Sequence, residues 1–256
     1  MRVRILGCGT SSGVPMIGCQ CAVCLSDDPR NKRQRCAITI QSDDATILVD
    51  TPPELRLQAI EAGLERLDAV LYTHAHADHV NGLDDLRSLN NVMDQAIDTF
   101  GDARVLERIR SRFEYAFEAP NPDKGWWRPC LRPIPIDGPF LVGDMLIRPI
   151  EQQHGRSPSW GFRVNDFAYS PDVNGLDKVA LKALEGLDVW IVDCLQERPH
   201  PSHAHLDMVL AWVERLRPKR TILTHMNHTM DFADLAARLP QGMEPAVDGM
   251  VINLVV

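Results

Sequence analysis

The segment His74-Ala75-His76-Ala77-Asp78-His79 sets the strongest constraint on this chain, because three imidazoles and a carboxylate crowd into six residues directly after the apolar run Ala69–Thr73. Imidazole and carboxylate hold first-row divalent ions while leaving coordination positions open for water and substrate. A strand running into this segment sends His74 and His76 to one side, since side chains alternate along extended backbone. The chain must then turn, which carries Asp78 and His79 to another side of the same small volume. Such a set can serve two metals rather than one. With nine histidines in 256 residues, three within six is improbable by chance.

Composition narrows the setting. With 27 Lys+Arg against 35 Asp+Glu the net charge is −8, which argues against a general, charge-driven nucleic-acid binder. Apolar residues at 45% and charged residues at 24% match soluble globular domains and exclude disorder. No run approaches the ~18 apolar residues of a membrane span, and Met1–Cys8 leads into a short apolar strand and a glycine loop without a signal-peptide core. The expectation is one cytoplasmic domain spanning residues 1–256. Of seven cysteines, Cys8, Cys36, Cys130 and Cys194 are scattered and read as buried small hydrophobes rather than a disulfide framework.

Short apolar runs alternate with amphipathic stretches. Strands are expected at Val3–Leu6, Ala37–Ile40, Thr46–Val49, Ala69–Thr73, Leu146–Ile150, Gly161–Val164, Val189–Val192, Thr221–Thr224 and Val251–Val255. Helices are expected at Glu54–Glu61, Leu83–Leu89, Ala103–Phe117, Lys178–Leu184, Leu206–Leu216 and Phe232–Leu239. The polar turn Ser42-Asp43-Asp44 makes the second and third strands a hairpin. The fold class is α/β with mixed sheets. The Pro-rich stretch Pro120–Pro139 reads as a loop excursion, and its aromatic surroundings (Tyr115, Phe117, Trp126, Trp127, Phe140) as a satellite core, a substrate wall or a subunit interface.

His74-x-His76-x-Asp78-His79 after an apolar strand resembles the signature of the metallo-β-lactamase superfamily, and further elements resemble that family in order. Asp50, in Leu48-Val49-Asp50-Thr51, resembles the strand-end aspartate that supports the metal loop; His154, Asp172 and His225 resemble the later ligands. The resemblance implies a four-layer αββα sandwich with mixed sheets and a dinuclear site of divalent metals, Mn2+ or Zn2+. It implies that His74, His76 and His154 hold one ion, Asp78, His79 and His225 the other, with Asp172 between them. Pro171, directly before Asp172, departs from the family pattern and removes a backbone N–H.

The remaining cysteines form Cys19-Gln20-Cys21-Ala22-Val23-Cys24, close enough for three thiolates to reach one ion, within a loop of about residues 18–25. Thiolates select zinc, tetrahedral zinc needs a fourth ligand, and His228, three residues after His225, is the best candidate for a structural site. This zinc loop, with His225-x-x-His228, resembles the PhnP-like phosphodiesterases. A related branch in quinone-cofactor biosynthesis shares the loop but has a degraded histidine motif; here the motif is intact, which favours an enzyme. The resemblance implies a homodimer acting on a small, cyclic phosphodiester such as 5-phosphoribosyl 1,2-cyclic phosphate. It further implies that hydroxide activated by the metals would attack phosphorus, with Asp78 and His203 as the catalytic residues and His203 protonating the leaving oxygen.

His205 is the rival acid by spacing, while His200 before Pro201 reads as a surface residue. Arg87 reads as the partner of Asp84 or a neighbouring carboxylate, with contact to a substrate phosphate as the alternative. Competing functions on the same ligands are a thioesterase or lactonase, a transfer-RNA 3′-processing nuclease and a non-catalytic scaffold. The nuclease would need a long basic arm that this sequence lacks.

Overall fold

A computed structural model describes residues 1–119 and 127–254; Trp126 and Val255 lie outside the described residues. The strands are β1 (Arg2–Gly7), β2 (Ala37–Gln41), β3 (Thr46–Val49), β4 (Ala69–Leu71), β5 (Ile97–Gly101), β6 (Leu131–Pro135), β7 (Phe140–Val142), β8 (Met145–His154), β9 (Ser157–Val164), β10 (Phe167–Ser170), β11 (Val189–Asp193), β12 (Arg220–Thr224), β13 (Met243–Pro245) and β14 (Val251–Asn253). The helices are α1 (Ala22–Leu25), α2 (Leu55–Ala62), α3 (Ala77–Val80), α4 (Leu86–Met93), α5 (Ala103–Arg112), α6 (Lys178–Ala183), α7 (Leu206–Leu216) and α8 (Phe232–Arg238).

Two mixed seven-stranded sheets result, ordered β14-β1-β2-β3-β4-β5-β6 and β13-β12-β11-β10-β9-β8-β7. In the first, β2 and β3 form the expected hairpin, with Ile38 opposite Val49, and β3 to β6 run parallel. In the second, β8, β9 and β10 are antiparallel and β10 to β13 parallel. Parallel neighbours aligned in this way put several strand ends on one edge, which is where an α/β sheet presents its functional groups.

The chain forms two compact units from discontinuous segments, Met1–Leu6, Ala37–Leu146 and Val251–Val256 in one, Gly7–Cys36 and Ile147–Met250 in the other. No unit boundary falls in the Pro-rich stretch, which contributes β6 and approaches β7. In the first unit a continuous core joins sheet residues Leu48, Val70 and Leu131 to Leu55, Leu86, Leu106 and Ile109 of the helices. The amphipathic stretch expected from Ala103 to Phe117 breaks at Phe113, after which Glu114–Phe117 forms a 3-10 turn. Phe113 and Phe117 pack on the core, Phe100 stacks on Phe140, and Trp127 stays half exposed. Arg87 donates to the Trp127 carbonyl and acts by its charge on the neighbouring Asp85 rather than on Asp84, which accepts from the Tyr115 hydroxyl. No helix is long and apolar enough to cross a membrane among the described residues.

Candidate metal centre

The first unit carries His74, His76, Asp78 and His79. Strand β4 ends at Leu71, two residues before the expected limit. Tyr72 still donates to the Phe100 carbonyl, but the Thr73 N–H goes to Asp50 Oδ1 at 2.9 Å, and that capture ends the ladder. His74 and His76 therefore occupy a loop, and strand alternation does not place them. Their rings nonetheless meet edge to face at 4.5 Å, and His74 lies 4.3 Å from the ring of His79. His76 caps the one-turn helix α3, which holds Asp78 and His79 so that His79 Nε2 lies 3.4 Å from Asp78 Oδ2.

Asp50 organises this half. It follows β3 with φ +65°, a left-handed conformation that costs a non-glycine residue energy and recurs at functional sites. Its buried carboxylate accepts the Thr73 hydroxyl at 2.8 Å and lies 2.7 Å from His79 Nδ1. Burial pushes this carboxyl above the usual range, while His79 pulls it back. Since the single Thr73 hydroxyl proton goes to Asp50, His74 Nδ1, 2.9 Å from that oxygen, carries its own proton and donates. For both His74 and His79, Nε2 is then the nitrogen that can be offered to an ion, the arrangement typical of metal-binding histidines.

The second unit carries His154, Asp172, His203 and His225. His154 ends β8 and donates from Nδ1 to the Ser202 carbonyl at 2.7 Å, again directing Nε2 as the donor to a metal. His225 follows β12 with φ +59°, fully buried, with Nε2 3.4 Å from Asp172 Oδ1. The proline before Asp172 withholds one N–H, yet the turn is held on both sides. Ser159 Oγ donates to the Asp172 carbonyl at 2.6 Å, and the Val173 N–H donates to Asp193 at 3.0 Å.

The same Asp193 oxygen lies 2.8 Å from His203 Nδ1, and His203 Nε2 lies 3.9 Å from Asp172. His203 stacks on His225 at 4.7 Å and meets His154 at 4.7 Å. His205 takes the N-cap position of α7. His200 is half buried and packs 5.2 Å from the His203 ring, not out on the surface. Asp193 is absent from the candidate site residues the sequence singles out. Its signal was present: Trp190-Ile191-Val192-Asp193 repeats the apolar-run-then-aspartate pattern of Ile47-Leu48-Val49-Asp50.

Cys19, Cys21, Cys24 and His228 also converge within the second unit, with all ligand atoms within 4.8 Å of one another. His228 Nδ1 lies 3.5 Å from Cys19 Sγ and 3.4 Å from Cys21 Sγ. Two ligands of one tetrahedral zinc, with ordinary Zn–S and Zn–N bonds, sit about 3.5 Å apart, so the set fits zinc closely. The Cys24 N–H, and then His228, draw the Cys21 thiol down to about 6, toward the thiolate that a metal requires. Arg33, buried beneath this region, donates to the carbonyls of Asn227 and Met230 and to Asn31 Oδ1, so it grips the stretch joining His225 to His228 and beyond.

Residues 45–226 match the β-lactamase superfamily domain. A crystal structure of a new diphosphatase from the PhnP family superposes over 100% of this chain and 98% of its own, with a TM-score of 0.92 and 31% identity. The chain belongs to the metallo-β-lactamase superfamily, with the α/β fold of two mixed sheets read from its sequence, and is PhnP-like within it. An octanoyltransferase of Porphyromonas gingivalis is 36% identical over 230 residues, 89% of this chain but 46% of that protein, so the chain spans less than half of its length. The anti-Pycsar protein Apyc1 of Paenibacillus harenae is 25% identical over 211 residues, 75% of this chain and 83% of its own. Zn2+-bound PqqB from Methylobacterium extorquens shares the fold over 99% of this chain and 100% of its own, with a TM-score of 0.80 at 19% identity.

Proposed function

We propose that this hydrolase-family chain is a metal-dependent phosphodiesterase acting on a small, cyclic phosphate ester such as 5-phosphoribosyl 1,2-cyclic phosphate. In this reading His74, His76 and His154 hold one divalent ion, Asp78, His79 and His225 a second, and Asp172 serves both. Cys19, Cys21, Cys24 and His228 hold a structural zinc. Divalent ions at the first two places would activate water and neutralise charge on the phosphoryl oxygens.

The residues do the rest. His203, its Nδ1–H held by Asp193, keeps Nε2 for the proton that the departing alkoxide needs, and the buried carboxylate stabilises the imidazolium charge. Asp50, through His79 and Thr73, and the Ser202 carbonyl, through His154, fix which imidazole nitrogen faces an ion. The observation that carries the proposal is the His203–Asp193 pair beside Asp172: a proton donor supported by a buried carboxylate, next to metal-ligating chemistry. A cation-only binding scaffold has no use for it.

A second reading, cleavage of a diphosphate bond, is favoured by the likeness to the PhnP-family diphosphatase over the whole chain. The test is kcat/KM of the manganese-loaded protein for 5-phosphoribosyl 1,2-cyclic phosphate, an activated aryl diester, a nucleoside diphosphate sugar and an acyl thioester. The cyclic ester is expected to lead by orders of magnitude. A lead for the diphosphate substrate selects the second reading, and activity on the thioester alone moves the assignment to acyl chemistry.

A further inference from the structure

His200 is absent from the reaction just described, yet its surroundings are too specific for a solvated loop residue. Its ring packs 5.2 Å from that of His203. Its Nδ1 receives the backbone N–H of Ser202 at 3.3 Å, with the Ser202 hydroxyl also at 3.3 Å. A backbone N–H can only donate, so Nδ1 is an acceptor and the ring proton sits on Nε2. Burial lowers the His200 pKa, in keeping with a neutral ring. Nε2 has no hydrogen-bond partner among the described residues.

The loop that carries His200 is pinned to the ligand-bearing elements. Pro201 holds the preceding residue extended, and its carbonyl accepts Asn174 Nδ2 at 2.7 Å. The other Asn174 side-chain atom, Oδ1, takes the Gly155 N–H at 3.1 Å, next to His154. Gly155, at φ +61°, approaches so closely that a Cβ there would stand 3.0 Å from Ser202 Cβ. Ser202 thus presents its carbonyl to His154 and its N–H to His200, and the next residue is the acid. His200 is thus tied to the peptide of Ser202, the residue directly before His203, which Asp193 holds in turn.

We propose that His200 is a substrate-binding residue that donates its Nε2–H to an oxygen of the leaving group, and so selects esters whose departing oxygen belongs to a sugar or another oxygen-rich group. The inference rests on the phosphoesterase reading above. A group that packs on the proton donor lies beside whatever receives the proton, and a neutral imidazole N–H suits a hydroxyl or phosphate oxygen without competing for the proton of His203. An aryl leaving group has its departing oxygen but no neighbouring hydroxyl or phosphate oxygen to accept this bond, and so gains much less from it.

The experiment compares His200→Ala and His200→Gln with the wild-type, manganese-loaded protein on 5-phosphoribosyl 1,2-cyclic phosphate and on an aryl diester. Glutamine restores a donor at the reach of Nε2. The alanine variant should raise KM for the ribose ester about tenfold, the equivalent of one hydrogen bond to an anionic group, with a much smaller change in kcat. The glutamine variant should recover most of that loss, and KM for the aryl ester should move less than threefold. Long-range 1H–15N spectra should show His200 as the neutral Nε2–H tautomer at pH 7. Equal losses on both esters, or an Nδ1–H tautomer, overturn the inference. An active wild type with an unmoved KM in His200→Ala overturns it alone, whereas a wild type inert to both esters overturns the phosphoesterase reading with it.

Discussion

Asp50 and Asp193 are the same device used for opposite ends. Each follows or ends an apolar strand, each is fully buried, and each places a carboxylate oxygen 2.7–2.8 Å from an imidazole Nδ1. Asp50 supports His79, itself wholly buried, and with it the hydroxyl of Thr73. Asp193 supports His203, whose side chain keeps 12% of its surface accessible. A carboxylate behind a sequestered imidazole presents a lone pair at Nε2, which is what a metal takes. Behind an imidazole that substrate can reach, it fixes the tautomer and supports a charge that appears only during reaction. In the proposed function, accessibility rather than the hydrogen bond is what would separate a ligand-orienting Asp50 from an acid-orienting Asp193.

The comparison can be broken by experiment. His203→Ala should lower kcat about 10³-fold, within the usual range for a lost general acid, and elemental analysis should find the metal content unchanged. Asp193→Asn should lower kcat about 10²-fold and distort the pH–rate profile, because an amide no longer enforces the tautomer; added metal should not restore it. Asp50→Asn should instead weaken metal binding about 10–100-fold, with activity recovered by excess Mn2+ in a titration. If excess metal rescues both aspartate variants alike, the proposed division of labour is wrong. Cys21→Ser should cost one zinc per chain and several degrees of Tm in differential scanning, with a smaller fall in kcat than any of these.

The smallest effect belongs to a control carboxylate that orients backbone and no imidazole. Asp248 accepts the N–H groups of Cys8 and Gln34, and burial pushes it up to about 6. A carboxyl raised above its unfolded value holds its proton longer in the folded chain. Folding stability therefore falls as pH rises from about 4 to about 6, and stays lowered above that. Asp248→Asn should flatten that portion of the Tm–pH curve relative to wild type while leaving kcat unaltered.

Much of this was legible beforehand, and the reasons differ by element. The periodicity of Leu206–Leu216 gave its helix to the residue; Val209 and Leu216 are buried, and the chain turns left-handed at Arg217 directly after it. The candidate ligand residues stood out because their chemistry is rare at that spacing. Strand β6 did not, since Leu131-Arg132-Pro133-Ile134-Pro135 contains two prolines; it is tolerated because it lies at the sheet's edge, where no outward N–H is needed. Strand β10 is four buried residues ending in Tyr169-Ser170, too short to show a period. The loop position of His74 and His76 was hidden as well, since it depends on Asp50, more than twenty residues earlier, taking the N–H that would have extended β4.

The chain's weaving between its two units carries a consequence for how such a protein is made and changed. It leaves the first unit after Leu6, returns at Ala37, departs again after Leu146 and comes back at Val251, where β14 pairs with β1 across most of the sequence. No single cut releases either unit as a continuous stretch. A ribosome must therefore deliver residues near position 250 before the first sheet acquires its outermost neighbour, and pairings that distant are slow to find. For a protein engineer, half-proteins should not complement simply by expressing residues on either side of a loop. For evolution, neither histidine-bearing unit can be exchanged as one continuous segment of sequence.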